Sequence, residues 1–142
     1  MSAWTLLHTV QQCVSTVWQK MSQQRPAITA RDVQAVGITN QRESLVAWNK
    51  RTGEPYHPAI IWSDTRTASI VQALKPHEAR VRATTGLPLS TYFSAVKMAW
   101  LMDGNETIRH DLATQECLFG TVDSWLLWVM LCVRLSWPRP RC

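Results

Sequence analysis

The stretch Val33-Gln-Ala-Val-Gly-Ile-Thr-Asn-Gln-Arg-Glu-Ser-Leu-Val-Ala-Trp48 sets a short polar segment between two apolar runs. Val33 to Ile38 is too short and too apolar for a surface helix, which predicts a strand buried on both faces. Ser44 to Trp48 predicts a second strand. Arg42 and Glu43 therefore stand side by side where one strand ends and the next begins.

Upstream, apolar residues at 3, 7, 10, 14, 17 and 21 have the spacing of one helical face, and Pro26 closes the segment. A helix leading into a buried strand is half of an α/β unit, so the fold class expected is α/β. Downstream, Asn49-Lys-Arg-Thr-Gly-Glu-Pro55 carries the Gly and Pro of a reversal before Ala59-Ile-Ile-Trp62 resumes an extended run. That hairpin makes the expected sheet mixed, with helices flanking it.

Ser63 or Asp64 is placed to cap a helix through Leu74, which Pro76 limits, and a further helical turn is expected around Glu78 to Arg82. Phe93 to Met102 predicts a helix with Val96, Ala99 and Trp100 inward, stopped by Asp103-Gly104. Asn105 is placed to cap another from Glu106 to Thr114. Cys117 to Phe119 reads as a strand, Gly120-Thr121 as its turn, and Val122 onward as a helix.

The polar segment Asn40-Gln-Arg-Glu43 falls beyond a strand's carboxyl end, where ligands gather in α/β folds. A neutral polyol offers hydroxyls that both donate and accept, so a pocket for it needs a fixed donor and a fixed acceptor. Arg42 and Glu43 supply that combination, although the same pair at a strand end also suits a plain surface ion pair. Trp62 can wall the carbon side of a small substrate or pack into the core. Asp64 and Arg66 fit a capping and solvating role better than bracing that wall, and Tyr92 suits either ligand contact or an interfacial position. The nucleophile elbow GxSxG, the phosphate loop GxxxxGK[ST] and the GxGxxG fingerprint are all missing from the sequence.

The 142 residues, 46% hydrophobic and 18% charged, have the bulk of one globular domain. The net charge of +5 is scattered, with Arg134, Arg139 and Arg141 biasing the end, so a solvated tail accounts for it better than nucleic-acid binding. Cys13, Cys117, Cys132 and Cys142 lack zinc-ligand spacing and are expected to be reduced thiols. The longest apolar run, Trp125 to Val133, is about half the ~20 residues that span a bilayer. A cytoplasmic protein without a transmembrane segment is expected.

Taken together, "VGITNQRESLVAWNKRTGEPYHPAIIWSDTRT", "TTGLPLSTYFSAVKMAWLMD" and "LFGTVDSWLLW" resemble the glycerol-phosphorylating branch of the FGGY family of sugar kinases. The likeness runs from about Trp4 to Trp128, so residues 1–128 are expected to be part of the family's N-terminal, ribonuclease-H-like (actin-like ATPase) domain. Thr91 stands where the family usually has proline, and Met102 where leucine is common. The resemblance implies that Arg42, Glu43 and Tyr92 bind glycerol hydroxyls and that Trp62 packs near the glycerol carbons.

It also implies ATP and Mg2+ as the family's cofactors. The family's opening strand-turn-strand element for phosphates and magnesium, and the aspartate that serves as base, have no counterpart in this sequence. Neither cofactor is therefore expected to bind this chain well, and an inactive isolated chain is expected. Pairing with a full-length kinase, or homo-oligomerisation, would let it act as a binding module. Residues 129–142 follow no amphipathic period and read as a misjoined exon or an intron read through. Sequencing the transcript across codon 128 is expected to show a departure from the family's reading frame, and a longer regular frame through the tail would overturn that reading.

Overall fold

The computed structural model describes residues 1–133. Its centre is a five-residue strand, β1 (Leu45–Asn49), four of whose residues are buried. β1 pairs antiparallel with β2 (Cys117–Thr121) in a register that runs from Leu45 opposite Thr121 to Asn49 opposite Cys117. On its other edge, the returning chain touches β1 through bridges at Trp48–Pro55 and Leu45–Ile60. The expected hairpin is therefore present: Leu45 and Ile60 exchange both backbone hydrogen bonds, while the Tyr56 N–H donates to the Ala47 carbonyl and the Asn49 N–H to the Glu54 carbonyl. β2 forms the ladder on the opposite edge.

Side chains alternate across a strand, and β1 uses both sides. Val46 and Trp48 join Ala3 and Leu7 of α1 (Ala3–Gln24) with Val122, Trp125 and Leu126. Leu45 and Ala47 face Ile60, Leu101, Ile108 and Cys117 on the opposite side. Helices thus cover both faces of the small sheet, an α/β arrangement of three layers.

The other helices are α2 (Ala68–Leu74), α3 (Glu78–Thr85), α4 (Ser94–Gly104), α5 (Glu106–Ala113) and α6 (Val122–Trp128). Gly86 ends α3 in the left-handed conformation, its N–H donating to the Arg82 carbonyl. Asn105 caps α5 as its sequence position requires, the side chain accepting from the Ile108 N–H at 3.1 Å.

Three expectations are corrected. Val33 to Ile38 forms no strand: Val33, Val36 and Ile38 are 50%, 83% and 49% exposed, after a 3-10 turn at Ala30–Asp32. An apolar run becomes a buried strand only where neighbours pair with it, and here the strand buried on both faces is β1. The helix expected from Ser63 or Asp64 starts later, at Ala68 after Thr67, because Asp64 accepts from the Arg66 N–H and holds a turn instead. Finally, β2 continues through Gly120 and Thr121, which the sequence assigned to a turn.

α1 buries Ala3 and Leu7 at its start, while Val10, Val14 and Val17 on the same helical face are exposed. Val129, directly after α6, is buried in the cluster around Trp125. Of the tail set apart at 129–142, residues 134–142, with Arg134, Arg139 and Arg141, lie outside the described residues. Cys13 and Cys117 are free thiols. No helix among the described residues is long and apolar enough to cross a membrane.

Gly120 shows how tightly the two strands and α6 close. A Cβ there would stand 2.9 Å from the Trp48 ring and 2.8 Å from Ser124 Cβ. Gly120→Ala is expected to destabilise the fold by about 1–3 kcal/mol, the usual range for overpacking, read from urea denaturation. An unchanged midpoint would mean that the Trp48 ring moves aside freely.

Candidate functional site

The ladder decides where the polar segment goes. Leu45 opposes Thr121 at the end of the pairing, so the residues before β1 lie beside the start of α6. Asn40 fastens them: its amide donates to Thr121 Oγ1 at 3.0 Å and its oxygen accepts from the Asp123 N–H. The chain then turns, with the Ser44 N–H donating to the Gln41 carbonyl. Ser44 is buried, and its hydroxyl accepts from the Trp62 N–H at 3.0 Å, which ties Trp62 to the same end of the sheet.

Glu43 occupies the third position of that turn with a φ of 62°. This left-handed conformation normally falls to glycine or asparagine and costs a glutamate about 1–2 kcal/mol. Strain of this kind persists only where surrounding contacts determine it. Glu43 Oε2 accepts from both the backbone N–H and the hydroxyl of Ser94, each at 2.6 Å. Ser94 is the first residue of α4, whose preceding Phe93 gives no side-chain cap. The carboxylate thus caps the helix from outside and meets the positive end of its dipole.

One turn into α4, Lys97 is fully buried. Its ammonium donates to the Glu43 carbonyl at 2.7 Å and to the Tyr92 carbonyl at 2.5 Å. Burial lowers the Lys97 pKa from the ordinary lysine value, opposed by the negative charges of Glu43 and Asp64. The ammonium also lies 5.9 Å from the Tyr92 ring centre, and Tyr92 and Trp62 meet edge to face at 6.3 Å.

Glu43, Tyr92 and Trp62 thus come together around the start of α4. Trp62 is 48% exposed, so it is no core residue. Arg42 is exposed and has no ion-pair partner among the described residues, so its side chain does not form the surface pair with Glu43 that the sequence allowed. Sequence reasoning missed Lys97. A lysine three residues after the first serine of an amphipathic helix reads as a solvated charge, and nothing in its spacing signals burial.

Asp64 and Arg66 form a two-pronged pair at 2.9 and 2.8 Å, with the guanidinium 4.9 Å above the Trp100 ring. Hydrogen bonding from Arg66 holds the Asp64 carboxyl below its ordinary range and raises the Arg66 pKa in return. A carboxylate with a depressed folded pKa adds stability above its unfolded value and loses it as pH falls through the folded one. Arg66→Gln is expected to return the Asp64 midpoint toward 3.8 and so to remove most of that pH-dependent stabilisation. Side-chain carboxyl NMR titration checks it, and an unmoved midpoint would show that the pair does not set the shift.

These features fit a wider pattern. The sequence model for the FGGY family of carbohydrate kinases, N-terminal domain, matches residues 2–134, and the chain belongs to that family. Glycerol kinase from Methylorubrum extorquens is 53% identical over 106 residues, covering 73% of this chain and 21% of that protein. Glycerol kinase from Leptothrix cholodnii is 51% identical over the same shares. The crystal structure of Plasmodium falciparum glycerol kinase with ADP superposes with a TM-score of 0.65 at 34% identity, over 68% of this chain and 19% of that one. The α/β fold is therefore that of the FGGY N-terminal domain, an actin-like ATPase fold. The chain spans about a fifth of the length of the curated relatives it matches.

Proposed function

We propose that this chain carries the polyol-binding face of a glycerol kinase, the enzyme that transfers a phosphoryl group from ATP to glycerol to give glycerol 3-phosphate. The observation that supports it is the Glu43 carboxylate, held in a strained turn by Ser94 and set beside Tyr92 and Trp62. Oε2 is engaged by Ser94, which leaves Oε1 to accept a hydroxyl. Arg42, next in the chain and exposed, donates to a neighbouring hydroxyl, and the Tyr92 phenol serves a third. The Trp62 indole lies against the carbon chain. The glycerol kinases at about half identity support this choice of polyol.

Phosphoryl transfer relies on positioning two reactants and stabilising charge, so a rigid polyol face is the part these residues can contribute. The family uses ATP, which supplies the transferred group when bound. The described residues hold no group of three or more His, Cys, Asp or Glu side chains. The enzyme of which this is the polyol face works in the cytoplasm.

A second reading, a polyol-binding module that pairs with a complete kinase, draws support from the exposed Val33, Val36 and Ile38. Calorimetry with glycerol and a coupled assay for glycerol 3-phosphate separate the two. Saturable binding without product is expected of residues 1–142 alone. Product formed only on mixing with a complete but substrate-site-defective kinase would favour the module. Glu43→Gln or Arg42→Ala is expected to weaken glycerol binding about tenfold to a hundredfold, the equivalent of one charged hydrogen bond. A wild-type chain that takes up no glycerol would sink the polyol reading.

A further inference from the structure

We infer that Lys97 is the positioning residue of the polyol face, acting through the main chain of Glu43 and Tyr92 rather than on the ligand itself. The inference rests on the polyol reading above. Its geometric basis is that one buried ammonium bonds the carbonyls of two residues, far apart in sequence, that the reading assigns to glycerol.

Packing does not require a lysine there. Methionine has nearly the same length and volume and needs no hydrogen bonds in a buried site. Burying an ammonium is costly unless its donors are met, and neither of its two partners is a side-chain carboxylate that would make it an ion pair. Its donors instead hold two backbone carbonyls, each belonging to a loop that carries site residues.

The consequence for Glu43 is direct. Lys97 is the group that receives the carbonyl of this left-handed glutamate. Ser94 fixes the other end of the same residue by its carboxylate. Held at carbonyl and carboxylate, Glu43 has little freedom in where Oε1 points. Tyr92 is fastened by its own carbonyl to the same nitrogen, so one atom, Lys97 Nζ, links the two main-chain segments that carry the acidic acceptor and the phenol.

The test uses the 1–142 chain with Lys97→Met and Lys97→Arg. Three-bond couplings and backbone shifts report the Glu43 φ without any ligand, and calorimetry reports glycerol affinity. In Lys97→Met, Glu43 is expected to leave the left-handed region and glycerol to bind about tenfold more weakly or worse. Lys97→Arg, which can still donate to both carbonyls, is expected to recover part of both signals.

A cycle with Tyr92→Phe separates positioning from a general structural effect. The loss from Lys97→Met should shrink when Tyr92→Phe is already present, whereas additive losses would overturn the proposal. So would a Glu43 that stays left-handed with unchanged affinity in Lys97→Met. If Lys97→Met does not fold, the wild type decides: Lys97 Nζ protons held by two carbonyls exchange slowly, and exchange as fast as a solvated lysine's overturns the clamp. A wild type that binds no glycerol defeats the polyol reading alone, because the Glu43 backbone signal needs no ligand.

Discussion

The structure depends on a strand that has both faces packed and both edges engaged. β1 gives Val46 and Trp48 to the side covered by α1 and α6, and Leu45 and Ala47 to the side covered by α4 and α5. Such a strand cannot slip by one residue without exchanging its two sets of side chains. Its register therefore fixes the neighbours of both ends, and the segment from Asn40 to Ser44 inherits its place from that register.

A second constraint then acts on Glu43. Turn strain, a helix start without its own cap and a buried ammonium each call for a partner, and they find one another. The carboxylate of Glu43 caps α4, and its carbonyl receives Lys97. Groups that would each be unfavourable alone are met within one small cluster, which is why a glutamate persists at a position that favours glycine. Asn40 and Ser44 add hydrogen bonds on either side of the turn, which tie both of its ends to the sheet and α6.

Much of the fold was legible because local signals were strong. The period of α1, the Asn105 cap and the apolar run at 45–48 each have one physical reading, and the structure carries all three. Val33 to Ile38 was misread because apolar content shows only that a segment could be buried, whereas a strand also requires a partner for its backbone. The helix start slid from Asp64 to Thr67 because an aspartate can close a turn with the same hydrogen bond it would give a helix. The family resemblance implied Arg42, Glu43, Tyr92 and Trp62 as a set, and the grouping of the last three around the start of α4 is visible only in space. Lys97 stayed hidden because charge on a helix is read as solvent-facing, and no one-dimensional pattern records the two carbonyls awaiting it.

The strand pairing has one further consequence, for the order in which the chain can be assembled. Asn49 waits for Cys117 and Leu45 for Thr121, so β1 leaves the ribosome long before its ladder partner does. During that interval a run of leucine, valine, alanine and tryptophan has α1 and the bridges at Pro55 and Ile60 to shield it, but neither β2 nor α4, α5 and α6. Closing so long a loop is entropically slow, so the pairing of β1 with β2 forms later than the local contacts around Pro55 and Ile60.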